Sequence, residues 1–99
     1  MATTKGALTM EMKLEVEVDA NEEEIIAHVG TVSQTGASFV VLMIYDPYGT
    51  LVGRSQDTFV SNENKDHAHP GVRGYFDPGR YTAKVTYKDC VVTQEFTIS

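Results

Sequence analysis

Two histidines in a polar stretch carry the clearest metal-binding pattern in this chain. His67 and His69 are separated by one residue, and Asp66 directly precedes them. Side chains two residues apart in an extended segment point to the same side, so both imidazoles could bind one metal ion. Asp66 and the distant His28 are the further ligands that such a site would use, because zinc sites usually need three or four ligands. The alternative is a solvated loop in which the histidines bind nothing.

Other chemistries have less support in the sequence. The segment 62–66, Asn-Glu-Asn-Lys-Asp, begins like an EF-hand calcium loop, which needs Gly at its sixth position and Glu at its twelfth. His67 and Arg73 stand there instead. The chain has neither a Gly-x-Ser-x-Gly nucleophile motif nor a Gly-rich phosphate loop. Cys90 follows Asp89, whose carboxylate disfavours a reactive thiolate, so we interpret Cys90 as a structural side chain. The sequence therefore predicts no enzymatic activity and no cofactor.

Composition and charge limit the class of partner. The chain has 99 residues, of which 41% are hydrophobic and 22% charged, as is typical of a single globular domain. Its 14 acidic and 8 basic residues give a net charge of −6, so we expect no binding to nucleic acid or to anionic membranes. No apolar run is long enough for a membrane span, and the N-terminal residues lack the apolar region of a secretory signal. An extracellular or cell-surface location is favoured only if a leader peptide has been removed.

Apolar residues recur at every second position along much of the chain, which predicts β-strands with one buried face. The alternation is clearest over residues 10–18 and 81–87. Asn21 and Glu24 are spaced as in a helix capping box, so a short helix is the alternative there. Ser61 to Gly74 is polar, and we interpret it as a loop. With the remaining short apolar runs and turns, the pattern predicts an all-β, antiparallel β-sandwich of about seven strands. It forms one domain over residues 1–99, with its core at about 9–98.

Residues 77–83, Asp-Pro-Gly-Arg-Tyr-Thr-Ala, resemble the tyrosine corner of immunoglobulin-like and fibronectin-type domains. In those domains a Tyr at the start of the penultimate strand hydrogen-bonds back to the backbone. The resemblance implies that role for Tyr81, with Gly79 and Asp77 two and four residues before it. Residues 39–52 are similar to the third strand and following hairpin of prokaryotic surface domains of this kind. With one Cys and no Trp, the chain is closer to the prokaryotic or viral group than to antibody domains. The resemblance implies an immunoglobulin-like sandwich and no particular activity.

The predicted third strand, residues 39–45, departs from alternation because all of its residues are apolar. Burying one face of this strand leaves an apolar face outside, and exposed apolar surface of that kind marks interfaces. The alternative is that long side chains, or the segment 61–74, cover it within the same chain. The first strand has a charged outer face instead, which discourages pairing. We therefore expect any partner on the sheet of the third strand, whose predicted outer residues are Phe39, Val41, Met43 and Tyr45.

These observations predict a non-enzymatic interaction or spacer module, one domain of a larger surface or assembly protein. Its partner would be another protein or a second copy of the chain, which would give a homodimer. An odd number of strands places the two ends of the domain at opposite poles, as suits a domain strung in tandem. The alternative is a module that binds a metal ion at His67 and His69, or a carbohydrate on the aromatic rings of Tyr48 and Tyr75.

Overall fold

The computed structural model describes residues 14–31, 39–62, 65–88 and 90–99. All the regular structure in these residues is β-strand, arranged in two antiparallel sheets. This confirms the predicted all-β sandwich. The first sheet contains β1 (Leu14–Ala20), β2 (Glu24–Thr31), β5 (Val60–Asn62), β6 (Lys65–Ala68) and β7 (Gly71–Arg73). The second sheet contains β3 (Phe39–Tyr45), β4 (Leu51–Thr58), β8 (Gly79–Tyr87) and β9 (Cys90–Ile98).

The strand order is β1-β2-β6-β5 in the first sheet and β4-β3-β8-β9 in the second. β7 also pairs with β2, at its first residues, whereas β6 pairs with Val29 and Gly30 near its end. Between β6 and β7, the N–H of Ala27 donates to the carbonyl oxygen of Pro70 at 3.0 Å. β6 and β7 therefore line one side of β2 as a single strand that is interrupted at His69 and Pro70.

The core lies between the sheets and is filled by alternate residues of the central strands. The inner side chains of β3 are completely buried, and those of β2 nearly so. Each such side chain contributes roughly 1.5–3 kcal/mol when it is removed from water. The inner rows of the three central strands are Ile25, Ala27 and Val29; Val40, Leu42 and Ile44; and Tyr81, Ala83, Val85 and Tyr87.

The interpretation of residues 61–74 as a loop is wrong. β5, β6 and β7 occupy most of that segment, so the described chain has nine strands instead of about seven. Backbone hydrogen bonds along β2 form whether the paired side chains are polar or apolar, and a polar strand at the side of a sheet buries few of its side chains. Ala68 and Val72 still point inward and pack on the core.

The alternative of a short helix at residues 21–24 is also wrong. Asn21 lies in the turn between β1 and β2, where its side-chain oxygen accepts hydrogen bonds from the N–H groups of Glu23 and Glu24. A short polar side chain can satisfy the same donors in a turn as at a helix start. Among the described residues, no helix has the length and apolar character to cross a membrane. The part of the first strand predicted before Leu14 lies outside the described residues.

Candidate functional site

A tyrosine corner joins the segment before β8 to the second sheet. The hydroxyl of Tyr81 donates to the carbonyl oxygen of Asp77 at 2.8 Å. The Tyr81 ring is stacked on Phe96 at 5.8 Å and meets Phe76 edge-on at 6.2 Å between ring centroids. Burial raises the pKa of Tyr81 above its usual value, and the negative charges of Asp77 and Asp46 raise it further. The hydroxyl therefore remains a neutral donor over the ordinary pH range.

Gly79 allows this corner to pack on the turn between β3 and β4. Its φ is +156°, and a Cβ atom at this position would lie 2.9 Å from Cγ of Pro47. The turn itself is held by Asp46, whose carbonyl accepts from the N–H of Gly49 and whose side chain accepts from the N–H groups of Tyr48 and Thr50. The corner, where Asp77 and Gly79 stand before Tyr81, therefore packs against the β3–β4 turn at the same pole of the sandwich.

The outer residues of β3, Phe39, Val41, Met43 and Tyr45, are called the β3 stripe below. They point away from the core, as the sequence predicted. Phe39 is 50% exposed, and the other three are half-buried. Tyr45 lies along the strand over Met43 and donates from its hydroxyl to Met43 Sδ at 3.5 Å. The stripe is thus continuous, but its most accessible part is at the Phe39 end.

Long polar side chains on the flanking strands border the β3 stripe. Val41 is paired with Gln56 of β4 and Thr86 of β8, and Met43 with Arg54 and Lys84. The stems of such side chains can shield an apolar neighbour while their polar ends stay in water. The segment 61–74 belongs to the first sheet and so does not cover the stripe. Of the two alternative covers considered from the sequence, only the long side chains remain.

Val91 extends the exposed end of the stripe across the second sheet. The register places Val41 opposite Thr86, and Thr86 opposite Val91 of β9. Val91 is 52% exposed, about as much as Phe39. Sequence reasoning did not include Val91, because alternation shows which residues of a strand share a face but not which strands are neighbours. Phe39, Val41 and Val91 therefore lie at the same end of the outer face, with Thr86 between Val41 and Val91.

On the outer side of the first sheet, the structure brings His28 into contact with His69. The Nδ1 atoms of the two rings are 3.0 Å apart, and the ring centroids 5.1 Å. His28 Nε2 lies 4.0 Å from a carboxylate oxygen of Asp19. The backbone N–H of His69 donates to Asp57 Oδ2 at 2.8 Å, which fixes the strand interruption from which its ring projects. With one Nδ1 protonated and the other not, the two rings form a hydrogen bond.

His67 lines the same shallow groove but is not part of this pair. It is opposite Gly30 of β2, where a Cβ atom would lie 3.6 Å from His67 Nδ1 and 3.9 Å from Glu15 Oε1. The groove of about 230 Å³ also contains Glu17, His28 and His69. The contact that forms is therefore between His28 of β2 and His69. The sequence indicated His28 as a further ligand of a site at His67 and His69, but it did not predict a contact with His69 alone.

The predicted metal site at His67, His69 and Asp66 stays a prediction. The side chain of Asp66 lies outside the described residues. Among the side chains that are described, no group of three or more His, Cys, Asp or Glu residues is arranged to hold a metal ion. His28 and His69 supply two converging nitrogens.

The two tyrosines proposed for carbohydrate binding lie at the pole of the tyrosine corner. Tyr48, in the β3–β4 turn, is 92% exposed, and Tyr75 is 79% exposed. Tyr75 borders a groove of about 240 Å³ together with Asp46, Arg73 and Asp77. Tyr48 does not line that groove, so the structure gives no shared aromatic platform.

Comparison with known proteins does not name a family for this arrangement. No family model matches the chain, and the search of curated proteins finds no significant match. The fold and the two outer faces of the sandwich are therefore the features from which a function can be proposed.

Proposed function

We propose that this chain is an immunoglobulin-like, non-enzymatic interaction module, one domain of a larger surface or assembly protein. The observation that carries the proposal is the β3 stripe, an apolar row on the outer face of a central strand. Its exposed end, at Phe39, Val41 and Val91, offers a partner contact surface that contributes nothing to the core of this domain. Immobilising such side chains against a partner removes apolar area from water.

The immunoglobulin-like part of the proposal is supported by strand order. The first sheet, β1-β2-β6-β5, has the order of the A-B-E-D sheet of those domains, and β3-β8-β9 has that of C-F-G, with β4 added at the side. The hydrogen bond from Tyr81 to Asp77 is the second support. In such domains, strands and turns form the scaffold, while loops or sheet faces contact partners.

A spacer role is compatible with the same module. β1 ends at the pole of the tyrosine corner, since the segment after it pairs with Phe76, which contacts Tyr81. β1 therefore begins at the other pole, whereas β9 ends beside Gly79 at the corner pole. A domain whose first and last described strands lead out at opposite poles can hold its neighbours apart in a tandem array of domains.

The interaction proposal is tested with Val41→Lys and a matched control on the other sheet. Ile26→Lys places the same charge at a half-buried apolar position on the outer face of β2. Immobilised wild-type domain is offered an extract of the cells that naturally make the chain, and retained proteins are identified by mass spectrometry. We expect a specific protein to be retained by wild type and Ile26→Lys and lost with Val41→Lys, with circular dichroism unchanged. Equal retention by all three domains would contradict the proposal.

A second candidate function, binding of a transition-metal ion, is favoured by the His28–His69 contact. Imidazole nitrogens suit Zn²⁺ and Cu²⁺, and two Nδ1 atoms 3.0 Å apart can bind one ion after a small separation. Titration with Zn²⁺ or Cu²⁺, followed by NMR of the imidazole resonances, tests it. We expect His28 and His69 to respond first, binding to be lost in His69→Ala, and His67→Ala to bind as wild type. Unmoved resonances of His28 and His69 would rule out this function.

A further inference from the structure

Tyr75 is an exposed aromatic residue at the corner pole, next to the tyrosine corner. It is 79% exposed, whereas the residue after it, Phe76, is buried. On one side of Tyr75, the N–H of Gly74 donates to the carbonyl oxygen of Glu23 at 3.1 Å. On the other side, the N–H of Phe76 donates to the carbonyl oxygen of Glu22 at 2.8 Å. The Tyr75 ring therefore projects from a fixed backbone, so a ligand that binds to it does not have to order the chain.

The groove of about 240 Å³ beside Tyr75 is called the corner groove below. It combines apolar walls with charged groups of both signs. Its apolar lining includes Val52 and Phe76. Ligand sites in proteins typically have this combination of apolar surface and a few polar groups. The charged groups of the corner groove are those of Asp46, Asp77 and Arg73.

Two of these charged groups are held in place by the fold. Asp46 Oδ1 accepts from the N–H groups of Tyr48 and Thr50, both at 2.9 Å, so Oδ2 is the oxygen that can accept from a ligand. Nε of Arg73 lies 3.4 Å from Glu24 Oε2, and the two residues are partners in the register of β7 with β2. A carboxylate only accepts hydrogen bonds and a guanidinium only donates them, so the groove offers both kinds of contact. Groups fixed in this way bind a ligand at a smaller cost in side-chain entropy.

The charges restrict the class of ligand that fits the corner groove. A cation would be attracted by Asp46 and Asp77 but repelled by Arg73, and an anion would be repelled by the two carboxylates. A neutral ligand with hydroxyl groups can donate to the carboxylates and accept from the guanidinium at the same time. A pyranose ring with equatorial hydroxyls has this chemistry at its edge, and its two faces consist of C–H groups. Such a face can lie on an aromatic ring, whose π-surface carries partial negative charge.

A second groove, of about 390 Å³, is also lined by Tyr75 and continues toward the β1–β2 turn at Glu23 and Glu24. Arg73 and Gly74 line both grooves as well, so residues 73–75 lie where the two grooves meet. A typical small-molecule pocket has a volume of roughly 300–1,000 Å³, so the corner groove has the size for a single sugar ring. A ligand that follows both grooves must therefore be a chain of linked rings.

We propose that the corner pole binds a neutral oligosaccharide of pyranose rings with equatorial hydroxyls. One ring stacks on Tyr75, and its hydroxyls are bound by the three charged groups of the corner groove. Tyr48 is more exposed than Tyr75 but lines neither groove, so it does not belong to this site, although the sequence suggested the two tyrosines together. The site is at a pole of the sandwich, so this inference does not depend on the proposed protein contact at the β3 stripe.

NMR titration of the intact chain tests the class of ligand. The sugar probes are cellotriose, triacetylchitotriose and xylotriose, which are neutral β-linked trimers, and trilysine is the cationic probe. We expect at least one sugar to shift the ring resonances of Tyr75 but not those of Tyr48, with an affinity that added salt leaves unchanged. The absence of shifts with all three sugars, up to their solubility, would overturn the proposal. Shifts of Tyr75 that only trilysine causes would also overturn it, since the grooves would then bind cations.

Substitutions at the corner pole test the position of the site. Tyr75→Ala removes the stacking ring and should weaken sugar binding at least about tenfold, whereas Tyr75→Phe should bind as wild type. Tyr48→Ala is the matched control and should also bind as wild type, because it removes an even more exposed tyrosine ring at the same pole. Asp77→Ala removes a carboxylate but keeps the carbonyl oxygen that accepts from Tyr81, and it should weaken binding severalfold. Equal affinity of wild type and Tyr75→Ala, or an equal loss in Tyr48→Ala, would contradict a site at Tyr75.

Discussion

Each pole of the sandwich has a buried tyrosine of β8 near a residue with a positive φ. The two poles differ in whether the tyrosine hydroxyl has a described hydrogen-bond partner. At one pole, Tyr81 begins the inner row of β8 and its hydroxyl is bonded to Asp77. At the other, Tyr87 ends the same row, is completely buried, and has no partner for its hydroxyl among the described residues. The positive-φ residue beside Tyr81 is Gly79, whereas the one beside Tyr87 is Lys88, with a φ of 52°.

Comparing the two poles separates the contribution of aromatic ring packing from that of a hydrogen bond to the backbone. Both tyrosine rings are packed by other aromatic rings, Tyr87 by Phe59 at 5.0 Å and Tyr81 by Phe76 and Phe96. Only the corner pole adds a hydrogen bond to the backbone and a residue that tolerates its φ. We infer that the corner pole is the rigid end of the domain, and that the Tyr87 pole contains removable strain. Five predictions test this difference, in order of decreasing effect.

Gly79→Ala should lower the free energy of unfolding by at least about 2 kcal/mol, because the added Cβ meets Pro47 and the positive φ disfavours a side chain. Urea denaturation measures the change. Gly74→Ala is the control, since a Cβ there would make only ordinary contacts, the nearest 3.5 Å from Phe76. If the two substitutions cost the same, close packing at the corner is not important for stability.

Tyr81→Phe should lower the free energy of unfolding by about 1 kcal/mol, which is the usual net value of one hydrogen bond. The ring and its contacts with Phe76 and Phe96 remain, so only the bond to Asp77 is removed. Urea denaturation at neutral pH is the measurement. An unchanged midpoint would mean that the corner is held by packing alone.

Lys88→Gly should raise the free energy of unfolding by roughly 0.5–1 kcal/mol, because glycine adopts a left-handed backbone without steric cost. Lys88 also lies over the Tyr87 ring, with Nζ 5.4 Å from its centroid. Lys88→Ala removes that contact without relieving the backbone, so it serves as the control. Thermal unfolding should rank Lys88→Gly above Lys88→Ala, and the opposite ranking would argue against strain at this pole.

Tyr87→Phe should leave the free energy of unfolding within about 0.5 kcal/mol of wild type or raise it, because it removes a buried hydroxyl that has no described partner. The same substitution at Tyr81 is destabilising, so the two variants are compared in one denaturation experiment. A loss at Tyr87 as large as that at Tyr81 would indicate that the Tyr87 hydroxyl is satisfied in solution.

The smallest effect concerns alkaline pH. Folding raises the pKa of Tyr81, through burial first and then through Asp77 and Asp46, so the unfolded chain loses this proton more readily than the folded one. The stabilisation by Tyr81 is therefore complete below about pH 10, the usual value for tyrosine, and is lost as the pH rises through the folded value. Wild type should lose stability above that pH faster than Tyr81→Phe. Parallel pH profiles would contradict the assignment to Tyr81.

Local sequence was sufficient to predict the strand at residues 39–45 and to limit its outer face to two alternatives, of which the structure has the one with the β3 stripe outside. Val40, Leu42 and Ile44 alternate with the stripe residues, and a pleated strand leaves only two faces to choose between. The sequence was not sufficient for the segment 61–74, whose polar residues pair with β2 through backbone groups that no side-chain pattern reveals.

Some features of the candidate site could likewise be predicted from local sequence, and others could not. The spacing of Asp77, Gly79 and Tyr81 is local, so the corner could be anticipated from seven consecutive residues. The His28–His69 contact joins residues 41 positions apart, and the position of Val91 beside Thr86 depends on which strands are neighbours. Neither can be read from alternation, because alternation carries no information on register between strands.

By itself, the sequence determined an acidic all-β chain whose strands bury every second residue and turn at Asp46–Gly49 and Asp77–Gly79. Short-range sterics and hydrophobic periodicity act within a few residues, so their effects can be predicted from consecutive residues of the sequence. Tertiary structure alone decided that β9 comes last in the strand order of its sheet, that His28 meets His69, and that Tyr87 has no described hydrogen-bond partner. These features depend on the order and register of strands far apart in sequence, which form only when the two sheets pack together.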